Sequence, residues 1–170
     1  MAPETRHEED DARVDANAPR PDQIAAVLRL FVARSGAARA TALIDRDPEP
    51  PVLVDCEEDG ATEMVEGESV RHLASAPEDE EVAAAVPDVR RLPPPAVDLA
   101  RGEVVAPVGA VAHLATAVRG LAERLPGRSV LTVQFPTQEG EALLSVAART
   151  GEPLVLALGD EQFPMPPDWP

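Results

Sequence analysis

Residues 107–163 read PVGAVAHLATAVRGLAERLPGRSVLTVQFPTQEGEALLSVAARTGEPLVLALGDEQF. Val111, Leu114, Val118, Leu121, Ala122 and Leu125 recur at three- and four-residue spacing, which lines one face of a helix beginning near Pro107. Pro126-Gly127 stops that helix. From Ser129 to Phe135, Val and Phe alternate against Ser, Thr and Gln, the pattern of a half-buried strand closed by Pro136. Glu141 to Arg149 follows after Glu139-Gly140, and Pro153 to Leu158 follows after Thr150-Gly151-Glu152, each turn carrying a glycine. Connections this short make neighbouring strands antiparallel. The stretch therefore predicts a helix packed on an antiparallel meander.

The chain upstream repeats the theme. Pro21 suits a first helical position, Ile24, Val27, Leu28 and Phe31 share one face, and Gly36 offers a C-terminal stop. Ala40 to Asp45 and Pro51 to Cys56 read as strands joined by Asp47-Pro48-Glu49-Pro50, a hairpin. Ala61 to Val65 adds a candidate third strand, and Val70 and Leu73 at three-residue spacing predict a short helix from Glu68 to Ser75. Each half alone is too small to bury a stable core, so both are expected to complete one sheet. The expected fold is α+β, a single antiparallel sheet of about five strands packed by two main helices. Its domain spans 21–163 with a Pro/Glu-rich loop at 77–95, preceded by a disordered acidic arm at 1–20 and followed by a Pro-rich tail at 164–170.

Composition narrows the function classes. Asp and Glu number 31 against 15 basic residues, every one of them arginine, for a net charge of -16. Phosphate backbones and anionic membrane surfaces are repelled by such a chain, so nucleic-acid and membrane binding are not expected. No apolar run approaches the roughly 20 residues that span a bilayer, and residues 1–15 lack the apolar core of a signal peptide; the expected location is the cytoplasm. Aromatic residues are only 2% of the chain, so its core must be built from Ala, Val and Leu.

Spacing supplies no chemistry. His7, His72 and His113 are far apart; His7 lies in an acidic run, His72 beside Arg71, and His113 off the apolar stripe of the second helix with no Ser or Cys nucleophile next to it. Cys56 is the single cysteine and follows Val52-Leu53-Val54, as a small buried thiol does. Lacking Lys, the chain has no Walker A motif, and no G-x-G-x-x-G follows a strand. Gly159 to Phe163 reads as an exit turn, and Asp45 and Asp47 as turn residues flanking the first hairpin. No catalytic, cofactor-binding or metal residue is assigned.

The order of elements resembles the roadblock family of small α/β modules. Pro21 to Gly36 matches the first helix of that family, Thr41 to Asp55 the first hairpin, Pro107 to Leu125 the second helix and Val130 to Leu158 the closing meander. The insertion Pro77 to Pro95 and the lack of a last helix depart from it. GAF-like and PAS-like sensor domains are similar in setting an antiparallel sheet against helices. Three functional expectations follow. The first is a non-catalytic protein-interaction or regulatory module, homodimeric through an edge strand or the 107–125 helix, whose partner is itself or another protein. The second is a small-molecule sensor with a pocket facing Val133, Ala147 and Leu156. The third is an enzyme built on His113 and distant carboxylates.

Overall fold

The computed structural model describes residues 21–74, 80–106 and 108–163. The arm 1–20 with His7, the tail 164–170 and the first residues of the 77–95 segment lie outside them.

Helix α1 (Pro21–Ser35) carries Asp22 in its first turn and Arg34 in its last, charges that match the two ends of the helix dipole. Ile24, Leu28, Phe31 and Val32 are buried along one side. Gly36 ends it with φ of 75° and donates its N–H to the Val32 carbonyl at 3.0 Å. An antiparallel meander follows: β1 (Arg39–Arg46), β2 (Glu49–Glu57), β3 (Thr62–Glu66) and β4 (Ser69–Leu73). After α2 (Glu80–Ala85) and the hairpin β5 (Ala96–Asp98) and β6 (Glu103–Ala106), the pattern recurs. Helix α3 (Val108–Ala122) leads into β7 (Arg128–Pro136), β8 (Leu143–Arg149), β9 (Val155–Leu158) and β10 (Glu161–Phe163).

The sheet corrects the sequence expectation. It has eight strands, ordered β10-β9-β8-β7-β1-β2-β3-β4, and β5 and β6 form a second, two-stranded sheet. A single sheet of about five strands is therefore wrong, although the α+β class holds. The expected helix at 68–75 is strand β4: Gly67, at φ of 58°, turns the chain back so that Val70 pairs with Val65. The expected exit turn at 159–163 is likewise a hairpin, with Gly159 at φ of 60° and Glu161 paired to Leu158. Part of the 77–95 segment is folded: Glu80 and Glu81 open α2, which packs on α1, and Val82, Val86 and Val89 are buried in the common core.

The two halves join where β1 pairs with β7, antiparallel, with Thr41 opposite Thr132. The registers also show that the halves repeat each other. Adding 91 to a β1 number gives its counterpart in β7, and adding 92 carries β2, β3 and β4 onto β8, β9 and β10, with the cross-strand pairs preserved away from the strand ends. Because 41 maps onto 132, the two paired threonines are counterparts, and an approximate two-fold axis passes between them. Glycines with positive φ match as well: Gly36 with Gly127, Gly60 with Gly151, Gly67 with Gly159.

Strand residues alternate between two faces. Ala40, Ala42, Ile44, Val52, Val54, Cys56 and Met64 on one half, and Leu131, Val133, Phe135, Leu144, Val146, Ala148 and Leu156 on the other, are buried on the face that α1 and α3 cover. Fully buried Ala25, Ala37, Ala40 and Ala42 let helix and sheet approach closely, which compensates for the scarcity of aromatic side chains. Each of Phe31 and Phe135, at 0% and 2% exposed, contributes about 1.5–3 kcal/mol by leaving water.

Candidate interaction surface

The opposite face of the eight-stranded sheet is covered by no helix among the described residues. An antiparallel sheet often leaves one face to water, and such a face reads polar. Here the strands are apolar in both alternations: Leu43 stands between Ala42 and Ile44, Leu53 between Val52 and Val54, Val65 beside Met64 and Val130 beside Leu131. Register places the outward members in one row. Val70 pairs with Val65, Val65 with Leu53, Leu53 with Leu43 and Leu43 with Val130, so five aliphatic side chains cross β4, β3, β2, β1 and β7 perpendicular to the strands. Leu43 is 43% exposed and Val70 56%. With neighbouring strands about 4.8 Å apart, the row is about 19 Å long.

Internal symmetry provides a comparison within the same molecule. The counterparts of Leu43, Leu53, Val65 and Val70 in the second half are Gln134, Ser145, Ala157 and Gln162. The same backbone positions thus tolerate small or polar side chains, and the fold does not require aliphatic ones there.

Charges on this face are divided between the halves. On β1 to β3 stand the carboxylates of Asp45, Asp55, Glu57 and Glu63 and one guanidinium, Arg39; on β7 and β8 stand Arg128 and Arg149. Arg39 grips Asp55 with two hydrogen bonds, Nε to Oδ1 at 2.7 Å and Nη2 to Oδ2 at 2.6 Å, and Thr41 Oγ1 donates to Asp55 Oδ1 at 2.8 Å. Burial pushes the Asp55 carboxyl up, but these donors outweigh it and hold it below the usual carboxylate range. Arg149 lies 3.3 Å from Glu152 in the adjoining turn. Leu43, Asp45, Pro51, Arg128, Val130 and Arg149 surround an open depression of about 670 Å³ at one end of the row.

The residues singled out in the sequence do not converge. His113 is exposed on the outer side of α3. His72 is exposed on β4, with Nδ1 3.3 Å from a Glu63 carboxylate oxygen. Cys56 is fully buried, and burial raises its thiol above its ordinary value. Asp45 accepts a hydrogen bond from the Asp47 N–H at 3.1 Å, as a turn residue does. No group of three His, Cys, Asp or Glu side chains suited to a metal ion occurs among the described residues. Val133 and Leu156 are buried under the helices, whereas Ala147 pairs with Thr132 on the opposite face, so the three cannot line one sensor pocket. The aliphatic row was missed in the sequence, where the runs Ala42-Leu43-Ile44 and Val52-Leu53-Val54 were its signal: a strand apolar on both sides has something to cover on both.

No family model, curated protein or solved structure matches the chain. No helix among the described residues is long and apolar enough to cross a membrane.

Proposed function

We propose that this protein is a non-catalytic protein-interaction module that self-associates through the helix-free face of its sheet. The observation that carries this reading is the aliphatic row Val70, Val65, Leu53, Leu43 and Val130, set against polar or small counterparts in a half with the same backbone. Aliphatic side chains held in water by a fold that does not need them are stabilised when a second surface covers them. Area permits a second copy. The six central strands present about 25 Å by 20 Å. Two copies face to face would cover about 1,000 Å² in projection, the lower bound for a specific interface. The two surfaces named from the sequence offer less: α3 turns Gly109, His113 and Thr116 outward, and edge strand β4 exposes Arg71 and His72.

Backbone amide NMR spectra followed from micromolar to near-millimolar protein test the reading. The expected result is concentration-dependent shifts centred on Leu43, Leu53, Val65 and Val130, abolished by Leu43→Asp without loss of fold. Shifts confined to α3 or to the outer edge of β4, or no shifts at all, would count against it.

A further inference from the structure

Resting on the self-association just proposed, the charge pattern fixes how the two copies meet. Two twisted antiparallel sheets stack with their strands nearly aligned, within about 30°. A two-fold axis lying between them then has two choices. If it runs across the strands, each strand faces its own copy: the half bearing Asp45, Asp55, Glu57 and Glu63 covers itself, and Arg128 and Arg149 cover themselves. If it runs along the strands, the sheet is reversed left for right, so β1 faces β7, β2 faces β8 and β3 faces β9.

We infer that the copies pack in the reversed arrangement, with the acidic β1–β3 half of one over the arginine-bearing β7–β8 half of the other. Four carboxylates against one guanidinium then meet two guanidinium groups, whereas the alternative brings like charges together as water is excluded. By register Arg128 lies over Asp45, and Arg149 lies over Leu53, within side-chain reach of Asp55 two residues along β2 and of Glu63 beside it on β3. His72 beside Glu63 and Glu152 beside Arg149 are the other titratable groups at these positions. Apolar contact does not reverse the choice. Leu43 and Val130 meet at the centre and Leu53 meets the aliphatic stem of Arg149, while Ala147 and Val155 lie over the stems of Asp55 and Glu63. Val155, at 39% exposed, thereby gains a partner. The net charge of -16 per copy opposes association at long range, but at physiological salt charges beyond about 8 Å are largely screened, and the facing groups decide.

Charge exchange tests this. Arg149 and Glu63 have side chains 53% and 49% exposed, so Arg149→Glu and Glu63→Arg leave the core intact. By sedimentation equilibrium, each single variant is expected to weaken self-association by about tenfold or more, and the double variant to recover most of the loss. In the arrangement where each strand faces itself, Arg149 meets only the partner's β8, which bears no carboxylate on this face, so Arg149→Glu forfeits no attraction and an unchanged dissociation constant overturns the reversed packing while self-association stands. A double variant weaker than both single ones overturns it equally. A wild-type protein that stays monomeric removes the self-association itself.

Discussion

Thr41 and Thr132 are directly opposite each other across the β1–β7 junction and are counterparts in the two halves, so the approximate symmetry axis of the sheet passes between them. From that axis outward the two halves share strand order, register and turn glycines, yet they differ in what they present to water. The helix-covered face repeats in kind, Val54 and Cys56 matching Val146 and Ala148. The helix-free face does not, since aliphatic residues on one side answer to Gln134, Ser145, Ala157 and Gln162 on the other. This inequality within one backbone is what the proposed self-association rests on.

Asp55 makes stability depend on acid. Its carboxyl is held low in the folded protein, so the unfolded chain, titrating near pH 3.9, binds that proton more tightly. The stabilisation is present above about pH 4 and is lost as pH falls through the lower native value. Because Arg39 is half exposed, Asp55→Asn is expected to cost only on the order of 1 kcal/mol at neutral pH. Urea midpoints measured from pH 7 down to pH 3 should fall less steeply in the variant; parallel curves would remove Asp55 from the acid response.

Gly36 is expected to tolerate substitution less well than Gly60. Both hold positive φ, at 75° and 86°, where any side chain is strained. A Cβ on Gly36 would also come within 3.1 Å of Arg91 Nε and 3.3 Å of its Cγ, whereas nothing lies within 4 Å at Gly60. Gly60→Ala should cost about 1 kcal/mol and Gly36→Ala somewhat more. Adding Arg91→Ala to Gly36→Ala should return part of the difference, and chemical denaturation of the three variants checks it.

Both long helices and the central strands were legible because their apolar spacing is regular over many residues: Val111 to Leu125 keeps helical period over four turns, and Ser129 to Phe135 alternates without a break. The edges were not. In β4, Val70 and Leu73 mimic helical spacing over only five residues, too few for period to discriminate, and β10 has three. The repeat was hidden because counterparts differ in side chain, Ala40 against Leu131 for example, although glycines 91 or 92 residues apart mark it. No spacing rule could show the aliphatic row, whose members are adjacent only through strand register.

Glu139 fastens the small hairpin to the main sheet. Both of its carboxylate oxygens lie 3.2 Å from the Val97 N–H, and the neighbouring Gln138 N–H donates to the Pro95 carbonyl at 2.9 Å. Glu139→Ala leaves the buried Val97 amide without its partner. Hydrogen exchange at Val97 should accelerate by at least about tenfold while amides of β1 and β7 keep their protection. Equal acceleration in both regions would mean that the hairpin and the main sheet open together.

Light scattering on purified protein at rising concentration tests most directly whether the helix-free face is covered by a second copy. The predicted result is a mass that climbs from 18.0 kDa toward twice that value, with Leu43→Asp remaining at 18.0 kDa across the same range. A wild-type mass fixed at 18.0 kDa up to near-millimolar protein, or a Leu43→Asp variant that associates as wild type does, would contradict it.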